Sequence, residues 1–290
     1  MKEYSMTAFE LPVPIVSTDW LAAHLDEPAL VLLDASLKPA AASSGQQPLP
    51  APLLLPRARV FDFDTRICDQ QTRLPHMMPS PDLFEEEVRA LGVCKSSQIV
   101  VYDRVGVYSS PRAWWMFKAM GHDSVSVLDG GLPAWRAAGL SCDRAAGAPP
   151  ARGDFVARPR PELFCRIDHV SAALGSQRFT VLDARSEARF MGREAEPRPG
   201  LRPGHMPSAV NMPFSVVQQQ GQMRDRGELA ALFASKVRTG SSTLILTCGS
   251  GVTACILALA GTLAGYSDLT VYDGSWSEWG LPSSHPVSLA

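Results

Sequence analysis

The 290-residue chain has little in excess, and each shortage removes a class of function. Charge of one sign is missing, since 27 Lys and Arg against 29 Asp and Glu leave a formal net charge of −2. That balance offers no electrostatic footing for nucleic acid or for an anionic membrane surface, so neither is expected as a partner. No apolar run approaches the about 20 residues that a membrane span needs. The first residues, Met1 to Pro14, carry one lysine with no apolar segment behind it and no arginine, so neither a secretory nor a transit leader is expected. The six cysteines, at 68, 94, 142, 165, 248 and 255, form no Cys-x-x-Cys and no Cys/His pair at zinc-ligand spacing. A metal site is therefore not expected. Thiols so scattered read as free sulfurs in a reducing compartment, taken as the cytoplasm with the mitochondrion as the alternative.

What the chain does have is ordinary material for a core and a repeated pattern. Hydrophobic residues make up 46% and charged residues 19%, as in a folded globular protein. Val31-Leu32-Leu33-Asp34-Ala35-Ser36 is answered by Thr180-Val181-Leu182-Asp183-Ala184-Arg185. The segment Ser126 to Trp135, with Asp129-Gly130, is answered by Thr270 to Trp279, with Asp273-Gly274, displaced by 144 residues. Two copies at this distance are a domain duplication. Each half alternates short apolar strands (98–102 and 124–128; 243–247 and 269–272) with helices (111–120; 252–263). This predicts an α/β fold of two tandem domains, each a mostly parallel sheet flanked by helices. The expected boundaries are 1–144, a Pro-rich linker over 145–164, and 165–290. Lys38 to Pro56, with five prolines, is expected to be a surface loop.

The strand at 243–247 runs directly into Cys248-Gly249-Ser250-Gly251-Val252-Thr253 and then a helix. A glycine-rich strand-to-helix turn aims successive backbone N–H groups into one concavity, and the helix N-terminus adds partial positive charge. A sulfur in that place is set up as a nucleophile at the carboxyl end of the sheet, where α/β proteins bind ligands. Cysteine phosphatases use such a loop, but they need an arginine six residues on, and here that residue is Ala254. Cys255, inside the helix, is expected only to pack.

The duplicated pattern, the Cys248–Thr253 loop, Gly204-His205-Met206-Pro207 and Asp273-Gly274-Ser275-Trp276 together resemble the two-domain rhodanese-like sulfurtransferases. Within them the loop is similar to that of the 3-mercaptopyruvate-using branch, because the thiosulfate-using branch carries Arg and Lys where this chain has Gly249 and Ser250. The resemblance implies an enzyme, with the nucleophile only in the second domain. The matching turn of the first, Asp103-Arg104-Val105-Gly106-Val107-Tyr108, has no cysteine. It also implies sulfur transfer from 3-mercaptopyruvate through a Cys248 persulfide, with pyruvate released. The acceptor would be a small thiol, reduced thioredoxin or cyanide, yielding hydrogen sulfide or thiocyanate, with no metal or organic cofactor. Two alternatives stay open: a thiosulfate sulfurtransferase, and a non-catalytic persulfide carrier.

Site residues follow from the same resemblance. Five arginines lie between 185 and 202, which composition alone reads as a solvated basic loop. The family pattern selects Arg189 and Arg198 as clamps for the substrate carboxylate, a role that suits the guanidinium fork. Arg193 and Arg202 keep the bland reading. Gly249, Gly251, Val252 and Thr253 are expected to line the substrate's sulfur. Ser250, two residues past the nucleophile, is expected to handle protons with Asp64 and His76 from the first domain, a histidine oriented by a carboxylate being a recurrent acid–base device. Asp183 and His205 match family positions but are expected to be structural.

Overall fold

The computed structural model describes residues 10–37, 53–143 and 150–289; most of the proline-rich stretch over 38–56 lies outside these. The first domain runs β1 (Ile15–Val16), α1 (Thr18–Ala23), β2 (Leu30–Asp34), β3 (Arg59–Val60), α2 (Pro81–Ala90), β4 (Gln98–Tyr102), α3 (Ser110–Ala119), β5 (Val125–Leu128) and α4 (Gly131–Ala137). The second runs β6 (Phe164–Cys165), α5 (Ile167–Ala173), β7 (Phe179–Asp183), α6 (Glu187–Phe190), β8 (Val210–Asn211), β9 (Gln218–Gln219), β10 (Gln222–Met223), α7 (Arg226–Lys236), β11 (Thr243–Thr247), α8 (Ala254–Leu263), β12 (Leu269–Tyr272) and α9 (Ser275–Trp279). Strand order is β1-β5-β4-β2-β3 in one five-stranded sheet and β6-β12-β11-β7-β8 in the other, the same order twice. Pairing within both is parallel, with Asp34 beside Tyr102 and Asp183 beside Thr247 at the carboxyl ends.

The interior strands β2 and β11 are buried along their whole length, as their unbroken apolar runs require under helices on both faces. Start signals are local: Ser80 caps α2 with Pro81 in the first turn, and Asp225 caps α7. The expected helix at 252–263 begins two residues later, at Ala254, because Val252 and Thr253 still belong to the turn that carries the glycines. Its apolar circumference has a cause in the tertiary structure. Helix α8 packs on α3 of the first domain as well as on α7 and its own sheet, and one continuous core joins the two domains.

The described part of the Pro-rich connection, residues 150–164, is a fixed strap. Gly153 N–H donates to Arg89 O (2.8 Å), Arg158 N–H to Met120 O (2.8 Å) and Arg160 N–H to Ala119 O (2.7 Å), while Phe155 is buried against Phe84 and Phe117. With the backbone so bonded to the first domain, the two carboxyl-end loop sets face one another across a cleft.

Candidate active site

Cys248 leaves β11 at the carboxyl edge of the second sheet and is buried. Its N–H donates to Ser275 Oγ (3.2 Å) and its carbonyl accepts from Trp276 N–H (2.9 Å). Gly249 O accepts from Ser277 N–H (2.8 Å) and Ser277 Oγ (2.7 Å). The Asp273–Ser277 turn therefore fixes where the loop begins. Beyond it, the N–H groups of Gly249, Ser250, Gly251, Val252 and Thr253 make no hydrogen bond to another described residue. Together with the N-terminus of α8 they can hold an anion on the cysteine sulfur. Gly251 lies in the left-handed region (φ +76°), and a Cβ there would meet Asp273 O at 2.9 Å, so the turn requires glycine.

Ser250 Oγ lies 3.1 Å from His76 Nδ1, and His76 Nε2 lies 2.9 Å from Asp64 Oδ1. The partners assign the roles: Nε2–H donates to the Asp64 carboxylate, leaving Nδ1 to accept from the serine hydroxyl. His76 is left-handed (φ 61°), buried, and set edge-on to Phe63 at 5.8 Å. Burial is the largest influence on its imidazole and pushes the pKa below the ordinary histidine value of 6.5; Asp64 opposes this, while Arg112 and Arg198 add to it. The ring is thus favoured in its neutral, proton-accepting form.

Cys248, Ser250 and His76 share a cleft of about 330 Å³ with Arg189 and Arg198. Glu196, its side chain almost wholly buried, ties Arg189 (2.5 Å to Nη2) and also bonds Arg185 (2.8 Å to Nη1), which holds the Arg189 fork in one orientation. Arg198 has no hydrogen bond or ion pair among the described residues. Gly249, Val252 and Thr253 line the same space. Gly251 does not; its carbonyl instead receives the Cys255 thiol (3.2 Å) and Arg112 Nη1 (3.4 Å). The left-handed turn at Gly251 thus sends its carbonyl behind the loop, while its N–H remains among those that can hold an anion on the sulfur.

Residues expected to be structural have structural partners. Arg193 pairs with Glu187 at the surface, and Arg202 bonds the carbonyls of Trp279, Gly280 and His285. Asp183 holds buried Arg185, which stacks over Trp276 at 4.0 Å. His205 bonds Phe190 O (2.8 Å) and stacks on that ring. Burial pushes the Cys255 thiol up to about 12, so this second sulfur stays protonated. The six cysteines are free thiols, and no cluster of possible metal ligands exists among the described residues. No described helix is long and apolar enough to cross a membrane.

Sequence reasoning missed Arg112, Glu196 and Tyr108. Tyr108, from the first domain's loop, lines the cleft against Phe214, and burial followed by the nearby Cys248 raises its pKa. A lone arginine inside Ser-Pro-Arg-Ala-Trp-Trp-Met-Phe was the one available signal for Arg112.

A cysteine on a strand-to-helix turn of unpartnered N–H groups, in the second of two duplicated parallel-sheet domains, is the arrangement of a sulfur-handling α/β protein. The chain matches the Rhodanese-like domain family twice, over residues 17–138 and 167–281, and belongs to that family in its two-domain form. It is 39% identical over 282 residues to human 3-mercaptopyruvate sulfurtransferase, covering 94% of each chain. It is 38% identical over 272 residues to thiosulfate sulfurtransferase of Gallus gallus, covering 91% of this chain and 92% of that one. The crystal structure of SseA from Escherichia coli, described as a 3-mercaptopyruvate sulfotransferase, superposes with a TM-score of 0.78 at 34% identity, covering 91% of this chain and 99% of that one. Overall identity barely separates the two substrate types, so the decision falls to the loop.

Proposed function

We propose that this protein is a 3-mercaptopyruvate sulfurtransferase. The observation that carries the reading is the charge layout of the cleft: Gly249 and Ser250 in the cysteine loop are themselves neutral, and the cations that share the cleft, Arg189 (its guanidinium against Gly249) and Arg198, come from another segment. Mercaptopyruvate carries its single charge at the end remote from its thiol, whereas thiosulfate is a compact dianion charged beside the transferred sulfur. The carboxylate binds the two arginines and the thiol meets Cys248. The Cys248 thiolate attacks the substrate sulfur; the carbon–sulfur bond breaks, and its electron pair leaves as the enolate of pyruvate. That enolate takes one proton to become pyruvate, and the outer persulfide sulfur remains on Cys248 within the loop N–H groups. Ser250 is the group that reaches both the thiol and the enolate, and it exchanges protons with His76, whose other nitrogen Asp64 orients.

In the second half-reaction an acceptor thiolate attacks the outer sulfur and restores the Cys248 thiolate. A small thiol, a thioredoxin-type dithiol or cyanide each meets that chemical need. The dithiol closes to a disulfide and releases hydrogen sulfide, and cyanide becomes thiocyanate. The test is to measure pyruvate release from 3-mercaptopyruvate beside thiocyanate release from thiosulfate with cyanide, on the same preparation. A kcat/KM that favours mercaptopyruvate supports the reading. A preference for thiosulfate makes the protein a thiosulfate sulfurtransferase, and one bound sulfur with no pyruvate makes it a carrier.

A further inference from the structure

The relay histidine and the nucleophile belong to different domains, so some contact must set their register. Arg112 occupies that place. It projects from α3, is fully buried, and donates from Nη2 to His76 O (2.5 Å) and to Asp273 Oδ1 (2.7 Å), with Nη1 3.4 Å from Gly251 O. Its guanidinium carbon stands 4.7 Å from the centroid of Phe164, and its Nε–H has no partner among the described residues. The other oxygen of Asp273 accepts from Met78 N–H (2.7 Å). Residues 76 to 78 of the first domain are thus held at both ends by one ion pair, which also reaches the carbonyl of the turn glycine behind Cys248.

A buried ion pair is a poor device for stability alone, since apolar residues of the same volume commonly serve as well or better. An orphaned Nε–H adds to that cost. Geometry offers a better reason for it: His76 is left-handed, a conformation that a histidine keeps only when its surroundings impose it.

We infer that Arg112, with Asp273, is a positioning residue for sulfur transfer, holding the His76 backbone so that Nδ1 meets Ser250 on the cysteine loop. This rests on the relay described under the proposed function. Arg112 touches neither substrate nor reacting sulfur; it acts through His76.

The test measures pyruvate release by Arg112→Lys, which keeps the charge and loses the fork. The kcat should fall about 10²-fold, the scale for misplacing a reacting group by about 1 Å. The KM for mercaptopyruvate should stay within about twofold, because Arg189 and Arg198 are untouched. Adding Arg112→Lys to His76→Ala should cost no more than about twofold further, since the residue it positions is already gone. Should Arg112→Lys fail to fold, Asp273→Asn serves in its place; it retains an acceptor for the guanidinium and should lose about tenfold in kcat with the same non-additivity. A wild-type kcat, a fall shared with a large rise in KM, or losses that multiply in the His76→Ala background would each overturn the inference. The relay itself fails separately: His76→Ala at the wild-type rate removes it, and the role of Arg112 with it. A slow His76→Ala with multiplying losses removes only the role of Arg112.

Discussion

Asp103 and Cys248 stand at the same point of the two domains, each the first residue past the central strand β4 or β11. The turns that follow differ in what they enclose. In the first domain the Asp103 carboxylate accepts from the N–H groups of Val105 and Gly106 (both 3.0 Å), Tyr108 (2.8 Å) and Ser109 and Ser110 (both 2.9 Å), and from Ser110 Oγ (2.7 Å). In the second domain the matching N–H groups have no partner among the described residues. The duplicated fold builds an anion cradle twice, fills one permanently with its own carboxylate, and leaves the other to a sulfur. Six residues separate Asp103 from α3 and five separate Cys248 from α8, so the filled cradle is also one residue longer. A structural turn becomes a reactive one when its internal anion is replaced by a side chain that can carry a second sulfur.

The harshest way to break this comparison is to give the second loop the residue of the first. Cys248→Asp should abolish turnover, as should Cys248→Ser, because neither side chain is thiophilic. Wild-type protein given mercaptopyruvate without acceptor should gain the mass of one sulfur on the peptide carrying Cys248, and both variants should gain none. The two variants should part in stability. The aspartate can bond N–H groups that the serine hydroxyl cannot saturate, so Cys248→Asp should melt no lower than wild type. Sulfur found on Cys255 instead would remove Cys248 from the mechanism.

The reverse change comes next in size. Asp103→Ala leaves five N–H groups of a half-buried turn without their acceptor, which should cost about 3–5 kcal/mol, the scale for breaking a buried charged network by removing one partner. Denaturant midpoints would read this loss. The kcat per folded molecule should stay near wild type if the first loop is scaffold only. A stable Asp103→Ala protein would mean that the carboxylate does not hold the turn.

How much of this was legible in the sequence depended on whether side chain or backbone carried the information. The duplication, the parallel sheets and the cysteine loop are written in apolar runs and glycines. The relay was reached through resemblance, since nothing local to His76 reveals that it is left-handed and folded back toward Asp64, let alone that it meets a serine 174 positions away. The first-domain counterpart of Gly204-His205-Met206-Pro207 lies in Leu54-Leu55-Pro56-Arg57-Ala58 and shares only the proline. Its backbone is nonetheless retained: Arg57 (φ 63°) and Ser208 (φ 65°) share the left-handed turn after their prolines, and bridges Leu54–Asp143 and His205–Ser288 recur. Arg112 and Glu196 stayed hidden because their partners come from distant segments, which a charge pattern along the chain does not record.

The cleft arginines sharpen the comparison on the substrate side, since the sequence of the first-domain segment after β2, Lys38 to Pro56, has no arginine. Arg198, with no ion pair among the described residues, should lose about 1.5–3 kcal/mol of mercaptopyruvate binding as Arg198→Ala, the scale of a hydrogen bond to a charged group. Arg189→Ala should lose as much, with a further stability cost because it leaves Glu196 with Arg185 alone. Sulfur transfer from preformed persulfide to a small thiol should change far less. Equal damage to both half-reactions would return these arginines to the fold.

The smallest expected effect is a displacement along the pH axis. In the proposed relay neutral His76 accepts the serine proton, so kcat/KM should fall as pH drops through the folded-state pKa. Because burial outweighs Asp64, that value lies below 6.5, and the acid limb should lie on the acid side of ordinary histidine. The sign for stability is the same. Between the folded value and 6.5 the unfolded chain binds the proton and the folded chain does not, so stability falls as pH falls through that window. Two variants should move the limb in opposite directions. Asp64→Asn removes the influence that raises the pKa and should shift the limb further toward acid, with a lower plateau. Arg198→Ala removes one that lowers it and should shift the limb toward neutrality. A limb that stays fixed in both variants would belong to some group other than His76, and the first domain would then contribute walls but no proton chemistry to the cleft.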